Sequence, residues 1–245
     1  MSQLLKRLKI SRKRAREYVR SPDPDYCARL DLIESVRGCV EKNPERHVLL
    51  YLDELTYFRQ PAVSYDYAAQ GHKQPLARRG YGTNKRFRVA AALNALTGQV
   101  TYRHRSRIGV SELVQLYKDI RTDYPNADCI YVVQDNWPVH FHPDLLRYLE
   151  PQTWPFPWYT PANWPAFDPA SIVPEPLPIQ LLCLPSYASW CNPIEKLWRW
   201  LRQDVLHLHR QVDDWPALRQ RVDEFLTQFR PSSQELLRYV GLLPD

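Results

Sequence analysis

The apolar positions fall into two regimes. From Tyr26 to Glu41, Leu30, Ile33 and Val36 or Val40 recur at helical spacing and predict an amphipathic helix. From His47 onward the apolar runs are short. H-V-L-L-Y-L-D (47–53) predicts a buried strand that ends in an acid. R-F-R-V-A-A-A-L-N-A-L-T-G (86–98) and Q-V-T-Y-R-H-R (99–105) predict a hairpin turning at Thr97-Gly98. S-E-L-V-Q-L-Y-K-D-I (111–120) predicts a helix capped by Ser111, and C-I-Y-V-V-Q-D (129–135) a second buried strand ending in an acid. A helix from about Pro143 to Leu149, a buried strand I-Q-L-L-C-L (179–184) and a helix opened by Asn192-Pro193 and running to about His209 follow. Residues 213–243 offer two more helical segments.

This order predicts a mixed α/β layer architecture: antiparallel hairpin strands first, then parallel strands near 130 and 180, with helices on the flanks. One segment departs from it. Residues 151–178 hold nine prolines and three tryptophans, which excludes a regular helix or a central strand and predicts an inserted loop in extended, polyproline-like conformation.

At 245 residues the chain can bury a full-sized core, as one large domain or one domain with a small appendage. It has no run of eighteen apolar residues, and the basic N-terminus lacks an apolar continuation, so neither a membrane span nor a signal peptide is read and a cytoplasmic protein is expected. Five cysteines without a C-x-x-C pair argue for reduced thiols and against a zinc knuckle.

The distribution of charge says more than its total. Of the net charge of +6, residues 1–20 contribute +7 and residues 67–111, with nine Lys or Arg and no acid, contribute +9, which leaves the remainder at −10. Two basic blocks on an otherwise acidic chain point to a polyanion, and nucleic acid is the partner they fit. The first block interleaves Leu5, Leu8, Ile10, Ala15 and Val19 with basic residues, and Ser11 can cap a short helix to about Val19; the S-P-D-P-D run at 21–25 then reads as a linker.

Three acids share a position type. Asp53, with Glu54 beside it, follows V-L-L-Y-L; Asp135 follows I-Y-V-V-Q; Glu195 opens a helix after the strand at 179–184. Acids presented at strand ends of an open α/β sheet converge in space although these lie 82 and 60 positions apart. Convergent carboxylates suit Mg²⁺ or Mn²⁺, hard ions that prefer oxygen, and two such ions serve phosphoryl transfer. Each acid also has an ordinary explanation. Asp53 and Asp135 can be turn residues, and W-C-N-P-I-E-K-L-W (190–198) reads as a capping box, with Asn192 as cap, Pro193 at the first helical position and Glu195 reaching back. Taken together with two acid-free basic blocks, the three acids fit an enzyme acting on DNA, with the cap fixing where Glu195 stands. Trp198, Leu201 and Val205 read as core packing beneath that helix.

Y-L-D-E-L-T-Y, L-N-A-L-T-G, V-V-Q-D-N-W-P-V-H and L-P-S-Y-A-S-W-C-N-P-I-E-K-L-W, in that order over about residues 45–205, closely resemble the DDE transposases of bacterial insertion sequences in the mariner-like superfamily. The resemblance implies an RNase H-like fold, shared with retroviral integrases, and a triad holding two Mg²⁺, with Mn²⁺ as substitute. Residue by residue the triad falls on Asp53, Asp135 and Glu195, with Glu54, Asn136, His140 and Asn192 in supporting or substrate-positioning places. The interval between Asp135 and Glu195 is longer than the family's usual one, and the Pro/Trp segment accounts for the excess. The loop L-P-S-Y-A-S-W-C-N-P lacks two prolines that the family has ahead of the helix.

The expected organisation is a basic helical arm and linker at 1–25, resembling the last part of the family's helix-turn-helix region, a linking helix at 26–44, a catalytic domain at 45–210 and C-terminal helices at 211–245. Lys6, Arg7, Lys9, Arg12, Lys13, Arg14 and Arg16 of the arm, with Lys73, Arg78, Arg79, Lys85, Arg86 and Arg88 of the second block, are the expected phosphate contacts. The partners implied are the DNA of element ends and target, a second copy of the chain in a dimer or larger assembly, and a separate N-terminal recognition polypeptide. The rival expectations are a protein that only binds and assembles on DNA, and an RNase H-like nuclease that does not join strands.

Overall fold

The computed structural model describes Arg7 and residues 20–244; the predicted helix at 11–19 and the arm residues Lys6, Lys9, Arg12, Lys13, Arg14 and Arg16 lie outside them. Five strands form one mixed sheet: β1 (His47–Phe58), β2 (Arg86–Asn94), β3 (Val100–Arg105), β4 (Cys129–Gln134) and β5 (Ile179–Cys183), in the order β3-β2-β1-β4-β5. The β1–β2 and β2–β3 pairs are antiparallel, and the β1–β4 and β4–β5 pairs are parallel. The helices are α1 (Tyr26–Lys42), α2 (Val110–Asp123), the short α3 (Pro143–Leu146), α4 (Ile194–Leu201), α5 (Trp215–Thr227) and α6 (Gln234–Val240). The mixed sheet with helices on both faces is the architecture expected from the pattern of apolar runs. Among the described residues no helix is long and apolar enough to cross a membrane.

Strand alternation divides the core in two. Leu49, Tyr51 and Leu55 of β1 pack with Ala91 and Leu93 of β2 against α1, α4, α5 and α6. Val48, Leu50 and Leu52 pack with Ala90 and Ala92 against α2 and α3. Helices from both ends of the chain, through Ile33, Val40, Leu218, Phe225 and Leu236, share the first of these cores with the sheet.

Several boundaries differ from the expected ones, each for a local reason. β1 does not end at Asp53; β2 continues to pair with it as far as Phe58↔Arg86, which carries it five residues further. α2 starts one residue before Ser111, with Gly109 as the cap, and the Ser111 hydroxyl donates instead to the Glu112 carboxylate at 2.7 Å. α3 is a single turn, not a helix to Leu149: its last carbonyls, of Leu145 and Leu146, accept from Tyr148 and Leu149, and the chain then bridges to Leu177 through the Tyr148 carbonyl and the Glu150 N–H. The helix after Asn192 is α-helical only to Leu201 and closes in a π turn over Arg202–Leu206. Residues 151–178 are irregular apart from one 3-10 turn, as their prolines require. Trp154 and Trp158 of that segment pack on Phe141, with ring centroids 5.4 and 5.6 Å away.

The β2–β3 hairpin turns at the predicted place, and its tip is docked. Gly98 has φ +71, the Ser233 N–H donates to the Thr97 carbonyl at 2.8 Å, and the Val100 N–H donates to Phe229 at 2.7 Å. A Cβ on Gly98 would stand 2.2 Å from the Ser233 carbonyl oxygen. Gly38, inside α1, has no atom within 4 Å of the same position. Gly98→Ala is therefore expected to lower unfolding stability by about 3 kcal/mol, and Gly38→Ala to raise it by roughly 0.5–1 kcal/mol, as urea denaturation would show.

Candidate active site

The parallel pairing of β1 with β4 stops at Tyr51↔Val133, while β1 runs on along β2. Asp53 therefore stands just past the carboxyl end of the parallel half of the sheet, and Asp135 is the first residue beyond β4. The pleat sends Asp53 and Glu54 to opposite faces. Asp53 pairs across to Ala91 on the α4 side, and Glu54 to Ala90 on the α2 side.

On the α4 side, the Trp198 indole N–H donates to Asp53 Oδ2 at 2.8 Å. Trp198 is fully buried, so the core residue read from the helical spacing also orients an acid of the site. Asn192 does not cap α4. Its side chain, 4% exposed, donates to the Leu52 carbonyl at 3.0 Å, and the cap position belongs to Pro193. The capping box is thus replaced by a tether from the start of α4 to β1, one residue before Asp53. Glu195 remains in the first turn of α4, half-buried, with its backbone N–H on the Asn192 carbonyl at 3.2 Å.

On the other face, His140 is completely buried between two acids. Its Nε2 lies 3.1 Å from Glu54 Oε1 and its Nδ1 3.3 Å from Asp135 Oδ1. Asp135 Oδ1 also accepts from the Trp137 N–H at 2.9 Å, and the Asn136 amide donates to the Leu184 carbonyl at 2.7 Å, which anchors the turn after β4 to the turn after β5. Leu184 to Ser189, with Tyr187 at a left-handed φ of 55, line a depression of about 440 Å³ together with Asp135, Asn136 and Trp137.

The electrostatics follow from this placement. Burial, then the charges of Glu195 and Glu54, push Asp53 up to about 7, against the help of its own hydrogen bonds. Burial, together with Asp135, also raises Glu195, although Arg202 and Arg199 oppose it. Burial works against a charge on His140, but the carboxylates of Glu54 and Asp135 override it and raise the imidazole to about 10. Asp135 moves the other way: partial desolvation is outweighed by the hydrogen bond and charge of His140, and the carboxyl is lowered.

The three acids of the expected triad thus act on one another electrostatically, but they do not close into a cage. Among the described residues no three His, Cys, Asp or Glu side chains form a cluster that could hold a metal ion as they stand. With like charges facing each other, Asp53 is drawn to Trp198 and Asp135 to His140 and the Trp137 N–H. An oxygen-only donor set whose members repel one another is nevertheless the chemistry that fits a hard divalent cation. The signal for Trp198 as an Asp53 partner was present in the sequence only as an indole three residues after Glu195, a position that core packing explains equally well.

The basic residues are distributed unevenly. Lys73, Arg78 and Arg79 lie on the irregular stretch between β1 and β2, all exposed, and Arg78 is paired to Asp213 at 2.7 Å. Arg86 and Arg88 stand on β2, on the Glu54 face, with Lys85 just ahead of them. Arg7 is exposed.

The mixed five-stranded sheet with helices on both faces is an RNase H-like fold, and known structures share it. The structure is similar to the Mos1 transposase paired-end complex with left transposon end (TM-score 0.61, 15% identity, 99% of this chain and 66% of that one). It is similar also to the Mos1 strand transfer complex (TM-score 0.63, 16% identity, 99% and 65%). In sequence it is 21% identical over 213 residues to the insertion element IS630 uncharacterized 39 kDa protein of Shigella sonnei, covering 87% of this chain and 53% of that protein. The chain spans about half the length of that curated relative. The DDE superfamily endonuclease family matches residues 48–219, and the chain belongs to that family.

The site has a pH signature in the metal-free protein. An unfolded aspartate titrates at about 3.9, so Asp53, at about 7, favours the folded state most at low pH and loses that contribution as pH rises to 7. His140, at about 10 against about 6.5 unfolded, contributes fully below 6.5 and loses it as pH rises through 10. Both act in the same direction, so the urea midpoint is expected to fall between pH 5 and pH 8. In Asp53→Asn the fall should be smaller, and an equal fall would show that Asp53 is not raised.

Proposed function

We propose that this chain is the catalytic part of an insertion-sequence transposase that cuts DNA at the element's end and joins the released 3′-hydroxyl to target DNA. The observation that carries the reading is the placement of Asp53 and Asp135 at the ends of the parallel strands, with Asp53 and Glu195 both raised by burial and by the charge of a neighbouring acid. Asp53, Asp135 and Glu195 would hold two Mg²⁺, for which Mn²⁺ substitutes. Bound there, such ions supply a countercharge, activate the attacking oxygen and stabilise the leaving one. Two solved structures of the Mos1 transposase are described as complexes with Mn and with Mg, which supports divalent-metal use here.

The protein's own groups do the positioning. Trp198 holds one oxygen of Asp53, and His140 holds Asp135 from behind with Glu54 as its counter-ion. Asn192 fixes the start of the Glu195 helix to β1, and Asn136 fixes the Asp135 turn to the loop that follows β5. Lys73, Arg79, Lys85, Arg86 and Arg88 supply exposed or partly exposed cations for phosphates, and the 1–25 arm adds the first basic block. The division into arm, linking helix, catalytic domain at 45–210 and C-terminal helices is part of this reading, as is a bacterial cytoplasmic setting beside the nucleoid. Tyr65, Tyr67, Leu76 and Tyr81, all almost fully exposed on the segment between β1 and β2, support assembly with a second copy of the chain.

The purified chain, given a supercoiled plasmid carrying the element's ends, should nick it only with Mg²⁺ or Mn²⁺ and should yield joined products. Asp135→Ala should lower that activity by at least about 100-fold. Cleavage without joining would reduce the reading to a nuclease, and salt-sensitive binding with no cleavage under any metal would overturn it. Independently of activity, Mg²⁺ should raise the melting temperature more at pH 8 than at pH 5, because Asp53 must lose its proton to bind it.

A further inference from the structure

We propose that a groove along the Glu54 face of the sheet, from Trp137 past the start of α2 to Arg147, takes a short unpaired stretch of DNA beside the acidic site. The inference rests on the reading above and adds to it a place for strands that are no longer in a duplex.

The groove consists of two adjoining depressions. The nearer, of about 460 Å³, is lined by Arg86, Arg88, Arg107, Trp137 and Trp164; the farther, of about 920 Å³, by Arg103, Arg105, Arg107, Lys118, Arg147 and Tyr148. Arg107, Gly109, Val110 and His142 line both, so the two are continuous. Trp137 also lines the depression that contains Asp135, so the groove starts at the candidate site.

Strand register explains why the cations line up. Thr56 pairs with Arg88, Arg88 with Arg105 and Ala90 with Arg103, so these arginines share the face of Glu54. Arg103 is committed to Asp119, whereas Arg105, Arg107 and Lys118 are exposed. Two acids also line the groove. Asp144 lies 3.6 Å from His142 Nδ1, and Glu112 accepts from Ser111 at 2.7 Å in the first turn of α2, whose cap, Gly109, offers no side chain. The farther depression still holds three more basic groups than acidic ones.

The aromatics set this groove apart from a plain basic surface. The Trp164 ring lies 4.5 Å from the His142 ring, and Lys118 stands over Tyr148 at 5.1 Å. Cations that follow a backbone, interleaved with ring faces on which bases stack, are the recognition chemistry of single strands. Together the volumes have room for a few nucleotides, the small end of what single-strand sites engage.

The test is fluorescence anisotropy on the purified chain with a labelled oligothymidylate and, separately, a blunt duplex. The double variant Arg105→Ala/Arg107→Ala should weaken oligonucleotide binding by at least about tenfold and reduce the salt slope of log Kd by about 1.4. Trp164→Ala should weaken it with the salt slope unchanged, and Glu112→Gln, which removes a carboxylate from the groove, should tighten it. Duplex binding should change much less in every case. Equal losses on duplex and single strand, or no loss at all, would overturn the proposal. Metal-dependent nicking, measured alongside, separates the two readings. Nicking with an unaffected oligonucleotide affinity defeats the groove alone, and groove effects without any nicking defeat the nuclease reading alone.

Discussion

The site depends on how β1 is paired. Its first residues, 47–49, pair in parallel with β4, Leu50 and Tyr51 pair with β4 and antiparallel with β2, and from Leu52 to Phe58 it keeps only β2. The acids occupy the point of change. A strand that stopped with its parallel partner would leave Asp53 on a loop; one that kept both partners would bury it in the sheet. The half-paired continuation holds the Asp53 backbone rigidly while its side chain meets the turns after β4 and β5. The pleat then separates neighbours in sequence: Asp53 meets Trp198 and the charge of Glu195, and Glu54 meets His140.

Charge sets the second constraint. Four carboxylates, from Asp53, Glu54, Asp135 and Glu195, lie around the strand ends, and the described structure answers two of them with a single imidazole. His140 lies between Glu54 and Asp135 and lowers Asp135, while burial first, and then the charges of neighbouring carboxylates, push Asp53 and Glu195 toward their neutral forms. The three acids are therefore not equivalent: an imidazole contact lowers Asp135, whereas Asp53 and Glu195 are raised. The donors on Asp53 and Asp135 come from a buried indole, a buried imidazole and a backbone N–H, so their orientation is independent of surface side chains.

Much of this was legible in the sequence, because the features that specify it are local. Apolar runs located all five strands, Thr97-Gly98 located the hairpin tip, and the prolines of 151–178 excluded regular structure there. What was not legible depends on contacts between distant residues. The extension of β1 past Asp53 comes from β2, since E-L-T-Y-F beyond two acids carries no signal of its own. N-P-I-E satisfied the rule for a capping box, yet the Asn192 amide donates to the Leu52 carbonyl, 140 positions away, and the Asn192 side-chain oxygen accepts nothing from its own helix. Position alone gave His140 a place only through resemblance; its burial between two acids is a tertiary fact.

The segments flanking the sheet are joined to the same site from outside. The S-P-D-P-D stretch, expected as a linker, is docked: the Ser21 hydroxyl donates to the Ser186 carbonyl at 2.6 Å, and Asp23 accepts from the Ser186 N–H at 2.7 Å. Asp23 is in turn paired at 3.2 Å with Arg29 of α1, a buried guanidinium that donates to the Pro157 carbonyl and lies over the Phe156 ring. One arginine therefore ties the N-terminal linker, the Pro/Trp segment and, through Asp23, the loop that runs into the Glu195 helix. The Pro/Trp segment between Asp135 and Glu195 is closed on itself, because its ends are bridged at Leu149 and Leu177 and its aromatics rest on Phe141. A long insert is tolerated where closing it costs little and its own packing restores order. Here that packing reaches α1, so a change in the position of the linker would be felt at Ser186, next to the depression that contains Asp135.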